Sequence, residues 1–191
     1  MTTFVSQKTP MDFLDLVRHR QSVRSYNPLR PVEKEKLDRC IEAVRLAPSA
    51  CNAQPWKLVV VDDPELKKKV AQAASAKWLG FNRFTSQAQV LIVIVREDPN
   101  LTSKLGTVLK DKPYTIMDIG IAAEHFCLQA TSEGLGTCIM GWFDESAVKK
   151  ILGIPKKKRA ELIITLGYPA KDVIREKIRK KTEEMCSHNA Y

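Results

Sequence analysis

The sequence predicts an α+β fold in which a small central sheet carries helices on its faces. Three observations lead there. Helical and extended patterns are interleaved, yet the strands are few and the helices long. Val90 to Val95 (VLIVIV) is an unbroken apolar run, the mark of a strand buried on both faces. The stretch from about Pro113 to Ser132 holds a helical apolar stripe long enough to span such a sheet. The 191 residues fit a single domain, typically ~100–200 residues long, and no linker or internal repeat divides 1–191.

The elements follow in chain order. Thr9-Pro10-Met11-Asp12 reads as a helix start, with Thr9 as N-cap, Pro10 at N1 and Asp12 at N3. That helix is expected to turn Phe13, Leu14 and Val17 toward the core. A second helix runs from about Glu33 to Ala47 on the stripe Leu37, Cys40, Ile41, Val44 and Ala47, and Pro48 stops it. Lys57–Val61 reads as a strand, and Asp63-Pro64-Glu65 opens a third helix. Val90–Arg96 is the buried strand. The long helix places Ile116, Ile119, Ala123, Phe126, Cys127 and Ala130 on one side, with Gly134 as its C′ residue. Gly136–Gly141 is a short strand, Asp144 caps a brief helix ending at Gly153, and Ala160–Gly167 is the last strand. Glu97 to Lys112 is polar and unpatterned, a loop or short lid.

Composition narrows the function. No apolar run exceeds six residues, against the ~20 that a membrane helix requires. The N-terminal residues lack the pattern of a secretory signal, and five cysteines without a CxxC spacing suit reduced thiols, so a cytoplasmic protein is expected. The formal charge is +9, of which residues 155–181 supply +7 from ten basic and three acidic side chains. Such a segment grips nucleic acid, an anionic cofactor or a phosphate, or is simply a solvated face. Its one aromatic, Tyr168, is thin support for nucleic-acid binding. Gly134-Leu135-Gly136 has neither the spacing nor the strand-to-helix order of a dinucleotide fingerprint. There is no Walker A motif, no HExxH and no GxSxG. His125 and Cys127 stand two apart on one helix and do not face each other. Hydrolase and metal chemistries lose their footing.

Two segments carry chemistry. In Arg20-Gln21-Ser22-Val23-Arg24, alternate residues of an extended stretch would present Arg20, Ser22 and Arg24 to one ligand. Two guanidinium groups and a hydroxyl suit a phosphate, although a solvated turn at a helix end would look the same. The second is Pro48-Ser49-Ala50-Cys51-Asn52-Ala53-Gln54-Pro55-Trp56. Its Asn and Gln amides can pair with the donor and acceptor edge of a heterocycle; a structural turn over a buried Trp is the plainer reading.

Together, RQSVR and PSACNAQPW resemble the opening of the nitroreductase family of FMN-dependent oxidoreductases, which pairs an Arg-x-Ser-x-basic element with a Pro-Ser-x-x-Asn-x-Gln-Pro-Trp loop. Gly134–Thr137, Gly141-Trp142-Phe143-Asp144, Gly167-Tyr168-Pro169 and Arg175–Glu184 extend the likeness over about residues 11–185. The resemblance implies an α+β sandwich with a mostly antiparallel sheet. It implies FMN as cofactor, NAD(P)H as co-substrate and ping-pong reduction of a small electron acceptor such as a nitroaromatic or quinone. A specialised flavoprotein with a non-nitro substrate, or a flavin binder without turnover, shares these motifs. The resemblance further implies a homodimer, each site drawing residues from both chains, with an arm of about residues 168–191 laid across the partner. Arg20, Gln21, Ser22 and Arg24 would lie near the ribityl phosphate and pyrimidine edge, and Pro48, Ser49, Ala50, Asn52 and Gln54 along the ring and ribityl chain. Met140, Gly141 and Trp142 would cover one side of the ring, the Gly141 backbone near flavin N5, and Lys177 and Arg179 would close on the phosphate. Arg83 would approach the pyrimidine. Gln21 stands where the family commonly has a basic residue. The basic tail thereby gains a role other than nucleic-acid binding, and no metal or catalytic side chain is required.

Overall fold

The computed structural model describes residues 12–75, 82–98 and 112–191. Their sheet has four strands, β1 (Trp56–Val61), β2 (Val90–Arg96), β3 (Gly136–Met140) and β4 (Arg159–Gly167), ordered β1-β2-β4-β3. Every neighbouring pair is antiparallel. The register runs Trp56 to Arg96, Val90 to Leu166 and Gly136 to Gly167, with an irregularity at Ile94/Val95. The six α-helices among the described residues are α1 (Phe13–His19), α2 (Lys34–Arg45), α3 (Pro64–Ala74), α4 (Tyr114–Ser132), α5 (Glu145–Leu152) and α6 (Thr182–Met185).

β2 explains the layering. Its side chains alternate between two cores, as a pleated strand requires. Val90, Ile92 and Ile94 pack beneath α2 and α4, with Cys40, Val44, Ile119, Phe126 and Ala130. Leu91, Val93 and Val95 pack on the other face, with Val70, Ala71 and Ala74 of α3 and Val148 of α5. Both faces being covered, β2 has no polar residue until Arg96.

The caps act as read. Asp63 accepts from Leu66 N–H at 2.8 Å and Asp144 from Ala147 N–H at 2.9 Å. Gly134 and Gly153 take left-handed φ of 74° and 65° at helix ends. Gly136 meets a different demand: a Cβ there would stand 2.6 Å from Val23 Cγ2, so the segment after α1 could not lie so close to β3. That segment joins the sheet by a parallel bridge from Ser22 to Thr137.

The first helix departs from expectation. It begins at Phe13 with Asp12 as N-cap, accepting from Leu14 N–H at 3.1 Å; Thr9 to Met11 lie outside the described residues. Asp12 has a carboxylate one residue from the first turn, which supplants the capping role assigned to Thr9. Phe13 and Leu14 are 63% and 59% exposed, and Val17 is also open. On α4, Ile116 does not join the core as its stripe suggested; it is 43% exposed, beside Met117 at 50%. Periodicity marks an apolar face but does not say what covers it. α1 packs against α4, so these side chains sit on adjoining helices. Most of the proposed lid, 99–111, also lies outside the described residues. Its root is held by Lys158, whose ammonium donates to Glu97 at 2.7 Å and Asp98 at 2.9 Å.

Candidate cofactor site

The first gathering point forms where α1 ends. The chain leaves the helix at Arg20 in an extended conformation, φ −58° and ψ 122°. Ser22 is then fixed beside β3, with Val23 N–H donating to Thr137 O at 2.8 Å. The arm after β4 crosses this segment. Gln21 Nε2 donates to Val173 O at 2.7 Å, and Gln21 Oε1 accepts from Arg175 N–H and Nε at 3.2 Å each. The Gln21 amide therefore fastens the arm to its own chain. Arg175 Nη2 also donates to Ser22 O. Lys177 Nζ donates to Val17 O at 2.7 Å and to Arg20 O, residues about 160 positions earlier. Arg20 is steadied by Glu124 of α4, Nε to Oε1 3.2 Å.

The electrostatics register the charges around Arg20. Burial, then the Arg20 and Arg179 charges, push the Lys177 ammonium below the usual lysine range. Burial pushes the Cys138 thiol up, opposed by Arg24, a hydrogen bond with Ser22, Arg175 and Arg20. Arg20 thus stands within electrostatic reach of Lys177 and Arg179 on one side and shares with Ser22, Arg24 and Arg175 the surroundings of Cys138 on the other.

The second gathering point is the loop between α2 and β1. Pro48 ends the helix, and Ser49 is extended, φ −147° and ψ 155°. A short 3₁₀ turn follows over Ala50–Asn52. Cys51, Asn52 and Gln54 all take positive φ, 53°, 49° and 45°. Only Asn among these enters the left-handed region readily. The loop braces itself: Gln54 N–H donates to Ser49 Oγ at 2.9 Å, and Gln54 Nε2 to Asn52 O at 3.1 Å and Oδ1 at 3.0 Å. It is tied to α4 by Ala50 N–H, which donates to Asp118 Oδ1 at 3.0 Å. Asp118 is a functional candidate that sequence reading overlooked. A lone Asp inside an apolar helix, 68 positions from its partner, gives no local signal.

The third is the turn after β3. Met140 is buried, Gly141 exposed, and Trp142 72% exposed. Asn82 pins this turn, its Nδ2 donating to Trp142 O at 2.9 Å and Ala74 O at 3.1 Å. Arg83, exposed, follows directly and opens a 3₁₀ turn. Asn82 was also overlooked; its left-handed φ of 62° is the feature that sequence pattern conceals.

The loop and the cationic locus hang on different parts of α4. Asp118 and Glu124 are six residues apart, about 9 Å along the axis and about 120° around it. The bonds of Ser49, Ala50, Asn52 and Gln54 given above stay within the loop or go to Asp118. A cavity of about 820 Å³ lies beside His19, Gln21, Gly136, Tyr168 and Asp172. Two of its cations are engaged: Arg30 stacks 3.4 Å over the Tyr168 ring, and Lys36 donates to Glu133 O at 2.9 Å and Tyr168 Oη at 2.7 Å.

Comparison with known proteins places the chain among relatives. A protein of Archaeoglobus fulgidus, named provisionally as an NADH dehydrogenase/NAD(P)H nitroreductase, is 31% identical, covering 82% of this chain and 84% of that one. An iodotyrosine deiodinase of Thermotoga neapolitana is 28% identical over 81% and 87%. The solved FMN-dependent nitroreductase of Clostridium difficile R20291 superposes with a TM-score of 0.76 at 27% identity, covering 94% of this chain and all of that one. The model of the Nitroreductase family matches residues 17–83 and 74–168. Sheet order, cationic locus and amide-rich loop sit within a chain that belongs to the Nitroreductase family.

Proposed function

We propose that this protein is an FMN-dependent oxidoreductase that uses NAD(P)H to reduce small acceptors, nitroaromatics and quinones among them. One observation carries the reading: the arm after β4 returns to the end of α1, where Lys177 bonds to the carbonyls of Val17 and Arg20 and lies near the Arg20 and Arg179 charges; with Ser22 and Arg24 these make the proposed set. That set fits FMN. An ammonium weakened by burial and by like charges is relieved by a phosphate, and guanidinium groups take phosphate oxygens in pairs. FMN, when bound, supplies the two-electron chemistry that links NAD(P)H to the acceptor in successive half-reactions. The chain's part is binding and orientation. Arg20, Arg24, Lys177 and Arg179 hold the phosphate end and favour negative charge on the bound cofactor. Pro48, Ser49, Ala50, Asn52 and Gln54 offer a rigid edge of amides and backbone to the ring and ribityl chain, and the Met140-Gly141-Trp142 turn covers one face.

The working unit in this reading is a homodimer in the cytoplasm. Phe13, Leu14, Ile116 and Met117 form an apolar surface on α1 and α4 that a second copy would cover. The separation of loop and cationic locus around α4 supports a site in which one chain gives the clamp and its partner the loop. Residues of the arm beyond those clasped by Gln21, including Ile178, remain available to that partner.

Absorbance of the purified protein, FMN content per chain and sedimentation test these points together. One FMN per chain in a dimer, released by acid without covalent residue, is expected. NADH or NADPH oxidation dependent on an added quinone establishes turnover; a colourless monomer contradicts the reading. The likeness to the Thermotoga deiodinase favours a second reading, reductive dehalogenation at the same site. Anaerobic assays with halogenated phenols and with nitroaromatics separate the two.

A further inference from the structure

We infer that Asp118 is a positioning residue for the cofactor loop: its carboxylate draws Ala50 N–H onto α4 and so holds residues 49–54 in the conformation that meets FMN. This rests on the reading of the loop given above. Asp118 is 4% exposed. One oxygen, Oδ1, takes the Ala50 amide at 3.0 Å; the other, Oδ2, is buried without a hydrogen-bond partner. Burying a carboxylate with an unsatisfied oxygen works against folding. Its bond in the structure goes to the first residue of the turn, directly ahead of the left-handed Cys51 and Asn52. A chain of ordinary L-residues does not keep such a turn unless its surroundings impose it. The internal bonds of Ser49, Asn52 and Gln54 shape the loop, and the Asp118 bond fixes where that shape sits against the body.

Four apoproteins decide the matter: wild type, Asp118→Ala, Asp118→Asn and Ala50→Pro. Asn keeps the Oδ1 acceptor. Proline removes the donor while leaving the carboxylate, and suits a site at the start of a turn preceded by the extended Ser49. FMN is titrated into each by quenching of flavin fluorescence, and hydrogen exchange of the Ala50 amide is followed without FMN in the three that retain it. A hydrogen bond to a charged acceptor corresponds to a loss of roughly 10- to 100-fold. Asp118→Ala is expected to weaken FMN binding by that factor and to speed exchange at Ala50. Asp118→Asn stays within about threefold of wild type, since it rescues the bond. Ala50→Pro matches Asp118→Ala, and adding Asp118→Ala to it costs nothing more. If Asp118→Ala does not fold, Asp118→Asn and Ala50→Pro carry the test. Wild-type FMN affinity in Asp118→Ala or Ala50→Pro, or an Asn variant that binds no better than Ala, overturns the inference. A wild type that takes up no flavin overturns the reading of the site itself and this inference with it.

Discussion

The cationic locus and the amide-rich loop are built in opposite ways. The locus is made of long side chains steadied by bonds to backbone carbonyls of residues 17–22. Its distinguishing property is charge. The loop is made of short side chains and a backbone locked by five internal hydrogen bonds and one to Asp118. Its distinguishing property is shape. Charge recognises the end of a ligand that bears a phosphate, whereas shape recognises the part that FMN and riboflavin share. The two regions should therefore fail differently.

The largest effect is expected at the locus. Arg20→Ala loses a charge-assisted bond and should cost about 1.5–3 kcal/mol of FMN affinity while leaving riboflavin unchanged. Adding Lys177→Ala should cost more, though less than the sum, because the two cations share one anion. Parallel titrations with FMN and riboflavin read this. A loop variant sharpens the contrast. Asn52→Ala removes one of the two acceptors for Gln54 Nε2 and puts a residue ill-suited to positive φ at 49°. A cost of about 1–2 kcal/mol is expected, shared equally by FMN and riboflavin. Equal losses in the Arg20 variant, or a phosphate-selective loss in the Asn52 variant, would break the comparison.

A pH series probes the locus more gently. Lys177 in the folded apoprotein sits below the usual lysine value of ~10.4. Between its lowered value and that ordinary one the unfolded chain binds the extra proton, so apoprotein stability rises with pH through this window and lacks the gain below it. FMN affinity runs the other way, falling as the ammonium is lost. Lys177→Arg keeps its charge and should flatten both curves, as thermal melts and titrations across the window will measure. The smallest effect on the fold is expected at Gly141. A Cβ there meets nothing closer than Leu162 Cδ2 at 3.9 Å, so Gly141→Ala should change stability by less than about 0.5 kcal/mol. If the bound ring lies against that backbone, the same variant weakens FMN binding.

What could be read from the sequence follows the range of the forces involved. Val90–Arg96 is bounded as expected because burial on both faces writes itself into consecutive residues. Asp63 and Asp144 cap helices through partners three residues away, so their signal is local. Phe13, Leu14 and Ile116 read as core yet stand exposed, because periodicity is blind to whether a helix is covered by its own chain. The motifs around Arg20 and Pro48 were visible, but their supports were not. Asp118 reaches across 68 positions, and Asn82 across 60 to Trp142. The loop's left-handed backbone falls on Cys51, Asn52 and Gln54, with no glycine to announce it.

Mixing two damaged chains tests most directly whether each site is shared between partners. One chain carries Arg20→Ala with Lys177→Ala. The other carries Asn52→Trp, which places a large side chain on the exposed side of the loop. Each alone should hold little FMN. Co-refolded in equal amounts, half of the dimers pair unlike chains, and each of those has one intact site, so FMN content should recover to about a quarter of wild type by two-fold symmetry. No recovery beyond the average of the two variants would mean that clamp and loop serve FMN within a single chain, and the account would be wrong.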